Sequence, residues 1–504
     1  MRLQKTINNA LFSTAFMLLS TLLSFGYRTI FINVLGVEYL GISAFFLNIL
    51  MMLSLGELGI GQAISFSLYK PLLNNDKKKI NALMNFYKKA YFIIGLIILL
   101  FAVLFSPFIH YFLKTSVNPL DVYIIFSLYV AQSSLSYFWG YKRTLLIADQ
   151  LAYKIVPITA ISKILEVISM ILILVITKSF IFTLTIQLIV KLLENIIVNY
   201  YIDKKYKYLG NKTESIDDKE LRIIKKNVKA MLFHKLGDFS VNGTDNIIIS
   251  TFIGITVLGI YSNYAMLISM VLSFLVVIFN SAGASFGSII AEGNIYESER
   301  KFRVFNLLGY WLFGFSSISL YVLLDPFITV WIGNKYLMTS SVVILISLNF
   351  FISGIRIPIG IVKSSGGIYS QDKYLPIIQG VINLILSLIF VNLWGVEGVL
   401  IATLLSSIIA PNWYRPYIVY KFLFKSSSIY YFKTLLSWCF VVILTAVITK
   451  TATEYIVLSE NHICKLIKDV LICIFIPNFI FYLVVSKTTD FKNLLNMISR
   501  KQLE

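Results

Sequence analysis

Residues 31–43 read FINVLGVEYLGIS and residues 250–262 read STFIGITVLGIYS. The first stretch places glycines at Gly36 and Gly41, and the second at Gly254 and Gly259, about 218 positions further on. A glycine-x4-glycine spacing opens a phosphate-binding loop only where Lys-Ser/Thr follows the second glycine. Here Ile42-Ser43 and Ile260-Tyr261 follow, so a nucleotide site is a poor reading. The same punctuation written twice points instead to a duplicated unit.

The surrounding composition says what kind of unit. Of the 504 residues 58% are hydrophobic and only 14% charged, with a mean hydropathy of +0.80, which is far more apolar than a soluble chain of this length. Stretches of about 18–25 apolar residues recur throughout, each long enough at 1.5 Å per residue to cross a hydrocarbon core of about 30 Å. Lipid offers no partner to a backbone amide, so spanning segments are helices or closed barrels, and the alternating period of barrel strands is absent. The expected fold is therefore an all-α polytopic membrane protein of about fourteen transmembrane helices. The first runs over about 10–33, the seventh over 230–253, and the eighth, over about 257–290, is long enough to project beyond the bilayer. The first stretch lacks a cleavage site and is expected to be a retained helix. Cys439, Cys464 and Cys473 show no metal or disulfide spacing.

The net charge of +19 fits basic cytoplasmic loops better than nucleic-acid binding. Alternate connections carry Lys70 with Lys77–Lys79, Lys142 with Arg143, the run 204–229, Arg300–Arg303, Lys363 with Lys373, and Lys421 with Lys425 and Lys433. These connections are assigned to the cytoplasm, and an even number of helices then places both termini there. The turns around Gly36, Lys178, Gly254 and Gly395 carry few basic residues and are assigned to the outer side.

Adding about 218 to the first six helices lands on helices seven to twelve. FSPFIHYF around Pro107 matches LDPFITVW around Pro326, and Pro157 matches Pro376. Six is even, so the two repeats enter the membrane from the same side and are parallel. The expected organisation is an N-terminal six-helix lobe over 1–202, a charged linker over 203–229, a second six-helix lobe over 230–421, and two added helices with a tail over 422–504. Two such lobes enclose a cavity and expose it to each face by rocking, with the paired glycines at equivalent outer turns.

Ionisable residues inside spanning helices are costly, and so are functional candidates. Arg28, Glu57, Lys163, Glu166, Lys191, Glu194, Arg356 and Arg415 occupy such positions. The seventh helix, HKLGDFSVNGTDNIIIS (234–250), puts Lys235, Asp238, Asn242 and Asp245 at spacings of three and four, a single polar stripe. Arg28 lies about eight residues, or about 12 Å, from the outer turn, and its counterpart in the second repeat is Asn246 beside Asp245. Lys163 with Glu166, and Lys191 with Glu194, are three apart and can neutralise one another. Arg415 and Glu57 lie near helix ends, where snorkelling is an alternative. A surplus of Arg and Lys suits an anionic cargo such as a diphosphate, which Arg meets with a fork of donors. The cationic cavity is thus assigned Arg28, Lys235, Arg356, Lys191 and Arg415, and ion coupling is assigned Glu57, Asp238 and Asp245. No catalytic residue set, cofactor or metal site is expected, and an ion gradient or the membrane potential is the expected energy source.

LSLGELGIGQAISFSLYKPL (53–72), TDNIIISTFIGITVLGIYSNYAML (244–267) and DPFITVWIGNKYL (325–337) resemble the polysaccharide transporter family. That family includes O-antigen and capsule repeat-unit flippases and belongs to the multidrug/oligosaccharidyl-lipid/polysaccharide exporter superfamily. The resemblance runs through helix twelve and implies two six-helix bundles with two added helices in a bacterial cell membrane. It also implies alternating access and, as cargo, an undecaprenyl-diphosphate-linked glycan bound for surface polysaccharide. Implied partners are that glycan, membrane lipids and a polysaccharide polymerase, with no nucleic acid. Three alternatives stand beside it: a peptidoglycan-precursor (lipid II) flippase, a drug or cation antiporter, and a membrane polysaccharide polymerase. Drug exporters of the superfamily carry an acid in the first helix where this chain has Arg28, and a polymerase needs a larger outer loop than any seen here. Replacing Arg28 or Arg356 with Ala is expected to lower transport without lowering protein level, with Lys recovering part of it; unimpaired export by both Ala variants would sink the cationic-cavity reading.

Overall fold

The structure, a computed structural model, describes residues 2–53, 55–209, 221–222, 224, 228, 243–281, 283–368, 371–456 and 461–500. Two compact units divide at Gly259 and Ile260. The expected linker and seventh helix, with Lys235 and Asp238, lie mostly or wholly outside the described residues.

The first unit opens with α1 (Arg2–Leu35), α2 (Val37–Leu53), α3 (Leu55–Leu73) and α4 (Lys77–Phe105). It continues with α5 (Pro119–Gly140), the short α6 (Arg143–Ala148), α7 (Val156–Thr177) and α8 (Phe180–Lys205). Local chemistry sets the breaks. Asp76 caps α4 by accepting from the Lys79 amide at 3.0 Å. Asn118 caps α5 ahead of Pro119, which has no amide to leave unpaired. The hairpin between α7 and α8 turns on Lys178 in the left-handed region. Packing runs from α1 to α7, α7 to α8, α8 to α5, α5 to α4 and α4 to α3, with α2 against α5. The Glu38 carboxylate ties the start of α2 to the loop before α5, accepting from Thr115 Oγ1, Ser116 N and Ser116 Oγ at 2.6 Å each.

The repeated glycines divide into two jobs. Gly36 (φ +84°) and Gly254 (φ +130°) hold backbone conformations that a side chain resists. Gly254 ends a wide turn, Ile249–Ile253, and its amide reaches the Ile249 carbonyl at 3.0 Å. The next helix, α9 (Ile255–Ser281), begins in the first unit and continues into the second. Gly41 and Gly259 are close-approach positions. A Cβ on Gly41 would strike the Ile255 carbonyl oxygen, and one on Gly259 would strike the Val37 carbonyl oxygen. Val37 and Ile255 stand 218 positions apart, as Gly41 and Gly259 do, so the contact is reciprocal.

In the second unit, α10 (Gly283–Ala291) precedes the 37-residue α11 (Ile295–Trp331). Next come α12 (Ser340–Gly354), α13 (Arg356–Ser365), α14 (Leu375–Ile409) and α15 (Pro411–Val419). The unit closes with α16 (Ile429–Tyr455), α17 (His462–Val485) and α18 (Thr489–Arg500). Helix α11 is the hub, packed against α12, α13, α16, α17 and α18. Its small residues admit neighbours: Gly309 meets the Pro358 ring, and Gly314 meets Val442 and Phe481. Rings of Tyr310, Trp438 and Phe481 fill the seam with α16 and α17.

Among the described residues, nine helical stretches are long and apolar enough to cross a membrane, and Leu19–Leu35 and Val37–Met52 are shorter apolar ones. One of the nine, Leu375–Phe424, runs for 50 residues. It folds back on itself at Gly395 (φ +60°), since Gln379 bonds Ser407 at 3.1 Å and Asn383 bonds Thr403 at 3.0 Å across the two arms. The expected eleventh and twelfth helices are these arms. The chain is a multi-pass, all-helical integral membrane protein. Gly41→Ala and Gly259→Ala are each expected to lower thermal stability of the detergent-purified protein by about 1–3 kcal/mol of overpacking. Gly140→Ala, whose Cβ meets open space, should leave the melt unchanged or slightly raised.

Candidate functional site

Helices with exposed apolar flanks must turn their polar residues towards one another, and in the first unit three of them do so along matched stripes. Tyr129, Gln132, Ser133 and Ser136 lie on one face of α5; Thr159, Lys163 and Glu166 on one face of α7; Gln187, Lys191 and Glu194 on one face of α8. With Arg143 from α6 and apolar residues of α1 and α2 they line a cavity of about 630 Å³. Its residues on α5 and α7 lie towards the ends joined by the connection that carries Lys142, Arg143 and Lys154.

The polar groups form two clusters. Glu166 accepts from Lys163 Nζ at 3.0 Å and from Gln187 Nε2 at 3.1 Å, and Gln132 Nε2 donates to Gln187 Oε1 at 3.2 Å. Glu194 accepts from Arg143 Nη2 at 2.8 Å and lies 3.3 Å from Lys191 Nζ, while Arg143 also donates to Asn195 Oδ1 at 3.1 Å. Both carboxylates are buried, at 6% side-chain exposure, whereas Arg143 keeps 27% and Lys191 44%. The described lining therefore sets three cations against two carboxylates. The acids are spent inside the protein, and the cations present their remaining donors to the cavity.

The i,i+3 pairs expected within α7 and α8 are formed, and Lys191 stands in the cavity wall. Arg143 was expected in a loop as an orientation signal; it instead begins α6 and bridges to α8. Gln132 and Gln187, which carry no charge and so no sign of costly burial in the sequence, complete the polar lining. Arg28 lies half-buried on α1 and is not among the residues lining this cavity. Asp245 is buried in a short helix, Thr244–Ile248, that packs on α2. Glu57 falls in α3, with its side chain outside those described.

In the second unit Arg356 opens α13 just after the break at Ile355 and donates to Ser353 Oγ at 3.2 Å. Arg415 belongs to a different cluster. Its Nε lies 3.7 Å from Asp372 Oδ2, and Lys363 Nζ bonds the same oxygen at 2.5 Å. Asp372 has no side-chain exposure, and Lys363, expected in a loop, is buried in the last turn of α13.

Stacked spanning helices around a cation-rich cavity define a polytopic, all-helical membrane protein. Over residues 6–283 the chain matches the family described as "Polysaccharide biosynthesis protein", and it belongs to that family. Among solved structures it is similar to the lipid II flippase MurJ in an inward closed conformation, at 16% identity and a TM-score of 0.69 over 96% of this chain and 100% of that one. It is also similar to an inward-facing multidrug resistance MATE family transporter of the MOP superfamily, at 14% identity and 0.61 over 77% and 92%. A MATE transporter from Vibrio cholerae follows at 13% identity and 0.58 over 84% and 100%. No curated protein matches the chain in sequence.

Removing the shared anion tests the ion-pair geometry. Glu194→Leu is expected to cost about 2–3 kcal/mol, below the roughly 3–5 of a fully buried pair because Arg143 and Lys191 retain solvent access. Combining it with Arg143→Met should return more than half of the lost melting temperature; an additive loss would refute the coupling.

Proposed function

We propose that this protein is a flippase that carries an undecaprenyl-diphosphate-linked oligosaccharide repeat unit from the cytoplasmic to the outer leaflet for surface polysaccharide synthesis. The observation that carries the reading is the cavity of the first unit, with Arg143, Lys163 and Lys191 against two internally paired carboxylates. A diphosphate is the ligand such a surplus favours, since Arg supplies a fork of donors and Lys a mobile point charge. Gln132, Gln187, Ser133 and Ser136 offer neutral hydrogen bonds suited to sugar hydroxyls. The volume falls within the roughly 300–1,000 Å³ of small-ligand sites. Membership of a polysaccharide biosynthesis family supports a glycan cargo over a drug cation.

In this reading both termini and the Lys-rich connections face the cytoplasm, and 1–202 and 230–421 are parallel lobes joined by 203–229, with 422–504 adding two helices. Rocking of the lobes exposes the cargo site to either face in turn. An inside-negative potential favours outward movement of the diphosphate by about 2.3 kcal/mol per charge per 100 mV. Arg28, Lys235 and Arg356 are proposed as further cargo-binding cations, whereas Arg415 is taken up by the Asp372 cluster, and Glu57, Asp238 and Asp245 are the carboxylates proposed for ion coupling.

Sealed vesicles holding the purified protein and a labelled lipid-linked oligosaccharide supply the test. Arg143→Ala and Lys191→Ala are each expected to slow appearance of label in the opposite leaflet by about tenfold or more, one such factor being 1.4 kcal/mol. Depleted cells should accumulate the repeat unit on the cytoplasmic side. Accumulation of the peptidoglycan precursor instead would transfer the assignment to a lipid II flippase, and transport indifferent to both cations would remove the reading altogether.

A further inference from the structure

A second cavity, of about 400 Å³, lies at the basic ends of α4, α5 and α8. Asn85 and Lys88 of α4, Tyr141 and Lys142 just beyond α5, and Asp203 and Lys207 near the end of α8 line it. Asp203 is already satisfied, because Lys142 Nζ lies 2.6 Å from both of its carboxylate oxygens. Tyr206, also in the wall, gives its hydroxyl to Asp149 at 2.6 Å. Burial first, and then that bond, raise its phenol well above the ordinary value, so it adds no negative charge. Lys88 and Lys207 are exposed and make no ion pair with the described residues.

The neighbouring surface says what kind of anion belongs there. One turn along α4 from Lys88 begins an exposed row of Phe92, Leu96, Leu100 and Val103. From Asp203 a matching exposed row runs back along α8 through Tyr200, Ile196, Leu193 and Ile189. Successive members of each row are three or four residues apart, so each row is one helical face. Both helices pack on α5. A free phosphate ion has no use for two apolar tracks leading from its site, whereas a two-chain lipid does. Basic pockets between spanning helices are suited to acidic lipid headgroups.

We propose that this pocket holds the phosphate of an anionic phospholipid between Lys88 and Lys207, with the acyl chains lying along the exposed faces of α4 and α8. The site is separate from the cargo cavity and does not depend on what the cargo is. Lys142 and Arg143 are nevertheless consecutive, so an occupied headgroup site stands one residue from the cation that bridges to Glu194.

Native mass spectrometry of the full-length protein in detergent tests the proposal. The protein is offered phosphatidylglycerol, phosphatidylcholine of the same acyl chains, or inorganic phosphate. Phosphatidylglycerol is expected to be retained in preference to the other two. The double variant Lys88→Ala with Lys207→Ala should bind it about thirty-fold more weakly, as two interfacial lysines would dictate. Lys88→Arg with Lys207→Arg should keep the preference, which separates loss of charge from loss of fold. Equal retention of the two lipids, an unchanged affinity in the Ala variant, or binding of inorganic phosphate as tight as that of the lipid would each overturn it.

Discussion

Glu166 and Glu194 are the groups on which the candidate site depends. A lone cation among spanning helices is expelled towards the interface or loses its proton, because desolvation outweighs anything unpaired charge can recover. Each carboxylate here gathers more than one donor: Lys163 and Gln187 at Glu166, Arg143 and Lys191 at Glu194. The anions are held inside, the cations reach outwards, and one positive charge is left over. The proposed preference for a negative ligand rests on that imbalance, which places no unshielded Arg in hydrocarbon. The Lys363–Asp372–Arg415 cluster, like the one at Glu194, holds two cations and one acid, but there the acid is fully buried and Lys363 is buried with it, while Arg415 keeps 22% exposure. Two cations around one acid therefore line a cavity in one place and close on a buried acid in the other.

Much of the fold could be read in advance, because lipid leaves the backbone few choices. Apolar runs of spanning length become helices, and the turn expected around Lys178 falls between α7 and α8. The reversal at Gly395 was visible for the same reason. Pairs within one helix were legible too, since Lys163–Glu166 and Lys191–Glu194 need only the helical period. Contacts between helices were not. Arg143 reads as part of a basic loop until α6 is seen to lie against α8, and Asp372 sits among turn residues with no sign of its partner forty-three positions later at Arg415. Gln132 and Gln187 escaped because a search for buried charge overlooks neutral donors.

The glycines show a subtler gap between pattern and purpose. Their shared spacing suggests two copies of one turn, and Gly36 and Gly254 do serve as turns. Gly41 and Gly259 serve each other's stretch. Each is small so that a carbonyl of the matching stretch can come close, Ile255 in one case and Val37 in the other. Spacing alone records that both positions are glycine; only the packed helices reveal why.

That reciprocity has a mechanical consequence. Two close approaches side by side act as a double pin between Val37–Gly41 and Ile255–Gly259, so one helix start cannot slide along the other without driving a carbonyl into the facing glycine. A methyl group at either glycine would lever both starts apart at once, which makes this spot a register lock rather than a simple gap.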